Sequence, residues 1–570
     1  MTPFGRRISF LENIGRTLTR AAFTVGAFTL LASLLGMVRD RLLARYFGAG
    51  AELDIYYAAF RIPDFFFNTI MVGLTSSAFL PVLTRFLHKP DTKKVISKKV
   101  NADKSLAFPK PAEDFVNSLV SLLSVGLLIV TGILFLAAPI LVNWITPGFS
   151  SSQQETTAAL TRIILLSPIL LSFSGMLGNM LNLRRFFLFY SMAPVVYNLG
   201  SILAIYTLVP TIGLVGLAWG IVLGALFHFT IQFFPALSLG LKIKWHWQPN
   251  HPGIQKVLKM MLPRSVHLGL LQSNLVITTL LASTLPVGSL AVFNFANNLQ
   301  SLPLGIFGAS FAIVAFPALA IHVAKNEAKK FQQEFSNAMC QILFFVIPLS
   351  AVLIILRAQI VRLVLGSGKF DWEDTILTFS ALGVLAISLF AQSLNLLFVR
   401  AFFALHDTIT PLKSGFIGVL VNIGVGVAAV KYWGQIAPIL EQDIHLQGLK
   451  SPIVGLALAY SVSQIAMFIF LLVGLHDYLA GIDIKAIKRS LGKIALATLI
   501  MGAVTQTAKW AWGVVIPLST LLAVAGQIFL AGSLGIVSYL IICKIFKCKE
   551  LINLIDEFPK IRKIKKIITH

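Results

Sequence analysis

Fourteen apolar stretches of at least 22 residues follow one another along the chain, near 21–47, 55–86, 114–145, 157–183, 187–209, 212–240, 256–283, 287–323, 337–365, 375–403, 410–431, 452–476, 490–512 and 516–543. A helix of about 20 apolar residues spans the hydrocarbon core of a bilayer, and lipid admits only helices and closed barrels as spanning structures. The pattern predicts an all-α polytopic membrane protein with fourteen transmembrane helices. A water-soluble enzyme is excluded, because 56% of the residues are hydrophobic and 12% charged, against roughly 45–50% and 25% in a soluble domain. Pro63 and Pro303 lie inside the long stretches 55–86 and 287–323, where they predict kinked helices and not hairpins.

The charge balance is strongly basic, with 47 Lys and Arg against 23 Asp and Glu, a net +24. In a soluble protein this would point to nucleic acid; here topology explains it. With the N-terminus, the C-terminus and every even-numbered connection in the cytoplasm, 35 of the 47 basic residues fall on that side, as the positive-inside bias requires. No nucleic-acid partner is needed. Arg6, Arg7, Arg16 and Arg20 precede an apolar run that leads into Arg39-Asp40-Arg41, so the start reads as an uncleaved first helix and not a secretory signal. The basic tail 544–570 lies on the anionic inner leaflet or is a plain solvated tail, and the lysine-rich loop 88–112 reads as a disordered cytoplasmic linker.

Weak internal similarity relates stretches one to six with seven to twelve. Pro63 precedes Ala78-Phe79-Leu80-Pro81 as Pro303 precedes Ala315-Phe316-Pro317, and Asn198-Leu199-Gly200 after Pro194 echoes Asn422-Ile423-Gly424 after Pro411. Arg185 and Arg400 precede these last segments, each followed closely by a Phe-Phe pair. Transporters are commonly built from such repeats. The expected organisation is an N-lobe of six helices over 1–240, a C-lobe of six over 241–476, two C-terminal helices over 477–543 and a basic cytoplasmic tail over 544–570. The two lobes are expected to enclose a central cavity.

Basic residues at membrane depth are costly and usually face a wet cavity. Arg39, Arg41 and Arg45 cluster at the outer end of the first stretch; Arg39 is the leading functional candidate, with Asp40 placed to hold its guanidinium, while Arg41 and Arg45 also suit snorkelling to the interface. A cavity arginine offers a forked donor matched to a phosphate or diphosphate. Asp54 stands near the outer entrance of the second stretch, and Arg61 beside Pro63 and Asp64. Arg264, followed by Gln272, Ser273 and Asn274, reads either as cavity lining or as glue between helices. Asp407 reads as a helix cap or a cation ligand, the cap being the commoner role of such a residue. No nucleophile elbow, metal-spaced His or Cys set, or GxxxxGK[ST] loop appears. Cys340, Cys543 and Cys548 are too few and scattered for a disulfide framework or a four-ligand metal site. Expected is a transporter with no cofactor, driven by an ion gradient, the membrane potential or the substrate gradient.

The run Leu35-Gly36-Met37-Val38-Arg39-Asp40, the turn Ala44-Arg45-Tyr46-Phe47-Gly48-Ala49-Gly50, Asp54, Ala59-Phe60-Arg61-Ile62-Pro63 and Ser77-Ala78-Phe79-Leu80-Pro81 resemble the opening of the MurJ/MviN lipid II flippase family. Leu262-Pro263-Arg264, the Asn198 segment and Arg400-Ala401-Phe402-Phe403-Ala404-Leu405-His406-Asp407-Thr408 with Thr410-Pro411 extend the likeness over essentially the whole chain. That family belongs to the multidrug/oligosaccharidyl-lipid/polysaccharide exporter superfamily. The resemblance implies a flippase that moves undecaprenyl-diphosphate-linked disaccharide-pentapeptide, lipid II, to the outer leaflet of the bacterial cytoplasmic membrane for peptidoglycan synthesis. It implies a lipid-tail groove at the last two helices. Coupling to a monovalent cation or the membrane potential, and contacts with membrane lipids and with cell-wall synthesis or division proteins, are expected beside it. Carried over by position, the resemblance places Arg39, Asp40 and Asp54 in the substrate cavity, and Arg61, Arg264 and the neutral donor Asn298 join them as candidate cavity residues. The chain departs from the family at Ser33, Phe67, Asn68, Asn297 and Asn298, where many members carry basic residues. That reduced charge leaves a transporter of another polyprenyl-linked glycan, a drug antiporter or a non-transporting cell-wall scaffold as alternatives.

Overall fold

The computed structural model describes residues 18–71, 79–87, 109–184, 186–238, 244–444, 451–476 and 484–552. The loop 88–112 as far as residue 108, Arg185 and the tail beyond residue 552 lie outside them. All regular structure among the described residues is helical. Eleven helices are long and apolar enough to cross a membrane, or twelve if Trp372–Ile387 and Leu389–Ala404, bent by 45° at their junction, form one span. These match the third to fourteenth apolar stretches; the count of fourteen is not confirmed. The first two stretches carry Leu18–Phe47, with Arg39, Asp40, Arg41 and Arg45, and the 16-residue Ala51–Phe66, with Glu52, Asp54, Arg61 and Asp64; residues 1–17 and 72–78 beside them lie outside the described ones.

The chain divides into two compact units, one running to Leu43 and from Gly50 to Leu290, the other comprising Ala44–Ala49 and the residues from Ala291 onward. The first contains most of α1 (Leu18–Phe47), then α2 (Ala51–Phe66), α3 (Leu80–Leu87), α4 (Lys110–Ile145), α5 (Ser151–Ile164), α6 (Leu166–Leu183), α7 (Phe187–Thr207), α8 (Leu214–Ser238) and α9 (Pro252–Ser283). Its core gathers Phe66, Phe79, Leu83, Phe115, Leu119, Met176 and Met180, with Phe86 stacked on Phe115 at 5.1 Å. Helix α9 packs in this unit, its Gly253 against the Phe115 ring and its Gly269 against Thr69. In lipid no hydrophobic force draws helices together, and close approach of small residues takes over. On α8, Gly216, Gly220 and Gly224 recur every fourth residue, and a Cβ on Gly224 would come within 2.6 Å of the Tyr197 carbonyl on α7.

The second unit holds α10 (Ser289–Pro303), α11 (Ser310–Ala324), α12 (Ala328–Ile355), α13 (Arg357–Val364), α14 (Trp372–Ile387), α15 (Leu389–Ala404), α16 (Ile409–Ile444), α17 (Pro452–Leu475), α18 (Ile484–Val515) and α19 (Leu521–Ile545). Phe331, Phe335, Phe398 and Phe402 centre its core. The hairpin of α18 and α19 joins α12 through Met501, Tyr539 and Phe344, the Tyr539 hydroxyl donating to the Phe344 carbonyl at 2.8 Å. The Gly-Ala-Gly turn after α1 also docks here. Gly48 has φ +65° with the Lys369 carbonyl 2.9 Å from where a Cβ would stand, and the Ala49 amide donates to the Asp374 carboxylate at 2.9 Å. Glycine is needed at position 48 on both counts.

The same irregularities occur in both units. A π-turn, Phe67–Met71, follows Pro63, and another, Leu304–Ala309, follows Pro303. Proline deletes one donor, and the chain closes wider i→i+5 bonds beside it. Two further helix pairs break in the middle, α5 from α6 at Leu165 and α14 from α15 at Ser388. Each pair opens on a side-chain cap, a Ser150–Gln153 capping box in one and the Asp371 carboxylate on the Asp374 amide at 2.8 Å in the other. Pro139 in α4 and Pro348 in α12 complete the parallel.

Candidate functional site

Along α1, residues 39 and 40 are neighbours whose side chains leave the helix about 100° apart, so their meeting requires both to bend toward one space. The Arg39 guanidinium donates through Nε and Nη2 to Oδ1 of Asp40, at 3.2 and 2.9 Å. Asp40 is buried and Arg39 is half-buried. This is the pairing the sequence suggested, and it leaves the remaining guanidinium donors without an acceptor among the described residues. Around the pair stand three phenols, Tyr56 and Tyr57 of α2 and Tyr197 of α7, each within electrostatic reach of Arg39. The Tyr56 and Tyr57 rings meet edge to face at 5.3 Å.

A second charged pair follows on α2. Arg61 is buried and donates from Nε to the Thr279 hydroxyl of α9 at 2.7 Å, while that hydroxyl donates on to the Leu275 carbonyl at 2.9 Å. Asp64 lies within electrostatic reach of Arg61 and accepts from the Asn68 amide at 3.1 Å. Tyr57 senses Arg39, Asp40 and Arg61, and Tyr197 senses Arg39 and Asp64. The first unit therefore holds one continuous polar group inside helices otherwise built of apolar residues, with two arginines, two aspartates and three phenols. Such a group can orient an anion through Arg39 while the aspartates keep its net charge near zero.

Two more contacts position it. Asn198 of α7 donates to the Ala32 carbonyl of α1 at 3.0 Å and to its own Pro194 carbonyl at 3.1 Å, which ties the helix bearing Tyr197 to the helix bearing Arg39. Asp54 is 5% exposed, and its carboxylate accepts from the Gly288 amide at 2.6 Å. It anchors the start of α2 to the turn after α9.

The remaining sequence candidates stand on other helices. Arg264 is on α9, its side chain outside the described residues. Asn298 is on α10 in the second unit, half-buried, its carbonyl accepting from Ser301 at 2.7 Å; the neighbouring Asn297 accepts from Gln300 at 3.0 Å. Of the polar residues after Arg264, Asn274 is buried in the helix packing. Asp407 caps α16, accepting from the Ile409 and Thr410 amides at 2.8 and 3.0 Å and from the Thr410 hydroxyl at 2.6 Å. Burial raises its carboxyl, but these three bonds outweigh burial and hold it below the usual carboxylate range. Cys543 and Cys548 meet side chain to side chain and are buried; among the described residues no three His, Cys, Asp or Glu side chains are grouped so as to hold a metal ion. The phenols are what the sequence reading passed over. Their signal was scarcity: the chain has ten tyrosines, and three stand together here.

Comparison with known proteins gives concordant matches. The family model described as lipid II flippase MurJ matches residues 43–524. The chain is 27% identical over 544 residues to the probable lipid II flippase MurJ of Vibrio cholerae, covering 94% of this chain and 97% of that one. It is 26% identical over 412 residues to the lipid II flippase MurJ of Burkholderia cenocepacia, covering 71% and 76%. Among solved structures its fold is similar to lipid II flippase MurJ in an inward closed conformation, with a TM-score of 0.70 at 23% identity over 92% of this chain and 98% of that one. It is also similar to an inward-facing multidrug resistance MATE transporter of the MOP superfamily, with a TM-score of 0.59 at 14% identity over 79% and 96%.

Proposed function

The chain belongs to the lipid II flippase MurJ family, and from that premise we propose that it carries lipid II from the inner to the outer leaflet of the bacterial cytoplasmic membrane by alternating access. It is a multi-pass membrane protein of a transporter family, and its task is to lower a barrier. Each unsatisfied polar group of a glycan-peptide headgroup costs several kcal/mol in hydrocarbon. A polar lining inside the protein replaces that hydration while the polyprenyl tail stays in lipid.

The observation that carries this reading is the Arg39–Asp40 pair. Asp40 engages one edge of the guanidinium, and the donors left over suit the fork geometry of a diphosphate oxygen pair. Arg39 receives the diphosphate, Asp40 orients it, and Tyr56, Tyr57 and Tyr197 add hydroxyl donors. Arg61 of α2 adds positive field, and Arg264 and Asn298 count among the substrate-binding residues. Asp54 acts by placing α2 and not by touching substrate. The matched irregularities of the two units support two repeat-related six-helix lobes that alternate in access. No nucleotide-binding loop occurs in the sequence, so the work is drawn from a monovalent-cation gradient or the membrane potential, without a cofactor. The placement of 35 of 47 basic residues supports cytoplasmic termini, and cell-wall synthesis or division proteins are the fitting partners.

The test is rescue of a strain depleted of its own lipid II flippase. The wild-type chain should restore growth, and Arg39→Ala should not, although it reaches the membrane in equal amount. Full rescue by Arg39→Ala would remove this arginine from the mechanism.

A further inference from the structure

Two basic residues that neither the topology nor the transport site uses, Arg357 and Lys509, meet in the second unit. Helix α12 ends at Ile355, and its last carbonyls are taken by both: Arg357 donates from Nη1 to the Ile354 carbonyl at 2.7 Å, and Lys509 of α18 donates from Nζ to the Ile355 carbonyl at 3.0 Å. The two cations are within electrostatic reach of each other. Arg357 also lies over the Phe379 ring at 5.5 Å. Lys509 is held in place by the hairpin, because the Gln527 amide donates to the Lys509 carbonyl at 2.7 Å.

Capping alone does not account for this arrangement. A helix C-terminus offers the equivalent of about half a negative charge, against two full positive charges placed beside it. Among the described residues no carboxylate forms an ion pair with either side chain. Both are half-buried, where an uncompensated charge is expensive. An anion from outside the chain is the missing complement.

Its source follows from depth. Lys488 and Lys509 are separated by 21 residues of one helix, about 31 Å at 1.5 Å per residue, which matches the ~30 Å hydrocarbon thickness. Lys509 therefore sits at the headgroup level opposite the basic end of α18. The adjacent Trp510 is 69% exposed, as tryptophans at that level are. We propose that Arg357 and Lys509 form a binding site for the phosphate of an anionic phospholipid in the leaflet facing that end of α18. The guanidinium supplies a fork and the ammonium a point charge, and the site is independent of what the protein transports.

The full chain purified in detergent can be titrated with phosphatidylglycerol, phosphatidylcholine or inorganic phosphate, reading apparent Tm and, by native mass spectrometry, retained lipid. Phosphatidylglycerol should raise the Tm and phosphatidylcholine should not. Lys509→Gln should weaken phosphatidylglycerol retention about tenfold, the loss of one charge-assisted contact, while Lys509→Arg keeps it, and R357Q/K509Q should abolish the shift. Equal effects of the two lipids, or equal retention by Lys509→Gln and Lys509→Arg, would overturn the site. Equal protection by inorganic phosphate would make it a free-anion site and overturn the lipid assignment. If R357Q/K509Q does not purify as dispersed protein, the pair of single Lys509 variants decides.

Discussion

In the proposed mechanism Arg39 and Asp54, two charged residues of one motif, divide into substrate work and structural work. Arg39 keeps donors unused after its bonds to Asp40; Asp54 is buried against the Gly288 amide. Hydrogen bonds to a charged group contribute about 1.5–3 kcal/mol, so Arg39→Ala is expected to cut lipid II flipping by about 10- to 150-fold with little change in apparent Tm. Asp54→Ala is expected to behave in the opposite order, lowering stability by about 1–3 kcal/mol because a buried amide loses its acceptor. Activity per folded molecule should then change less than the folded yield, which size-exclusion chromatography beside a flipping assay separates. At Asp407 the pH dependence has a definite sign. Its carboxyl is held below the ordinary range by Thr410 and Ile409 against the opposing effect of burial, so its contribution is present above the unfolded value near 4 and is lost as pH falls through the lower folded value. Asp407→Ala should cost about 1 kcal/mol at pH 7, as caps do, and the difference from wild type should close in melts taken well below pH 4.

Helices reach the site through contacts far apart in sequence, and this decides what could be read beforehand. Hydropathy located the membrane helices from the third stretch onward because that signal is local. The Arg39–Asp40 pair was legible for the same reason, since its members are adjacent. Tyr197 was not, because it reaches Arg39 only after α7 and α1 are brought together by Asn198. The Asp54 contact was hidden for a similar reason, since it joins Gly288, 234 residues away. The glycine ridge carries a prediction of its own. A Cβ at Gly224 would lie 2.6 Å from the Tyr197 carbonyl and 2.9 Å from the Ser201 hydroxyl, so Gly224→Val should destabilise by about 1–3 kcal/mol through overpacking. Because the pressure falls on the backbone of Tyr197, the surviving folded protein should also flip lipid II more slowly, whereas Gly126→Val, with open space around its site, should change neither quantity.

At the scale of the whole molecule, the sequence carried the membrane class, most of the spans and the family, while the site's detailed chemistry came from the arrangement of helices. Each unit repeats its proline-linked π-turn and its broken helix pair, yet the arginine–tyrosine group described here belongs to the first unit alone, with Asn297 and Asn298 standing on α10 in the second. The repeat supplies a common scaffold, and the proposed anion chemistry stands on the first unit. The most direct measurement is the amount of lipid II exposed on the outer leaflet of cells depleted of their own flippase and expressing either this chain or its Arg39→Ala variant at equal membrane levels, scored by labelling from outside. Wild type should restore outer-leaflet lipid II, and the variant should leave it in the inner leaflet. Equal exposure with both would contradict a transport mechanism centred on the guanidinium at position 39.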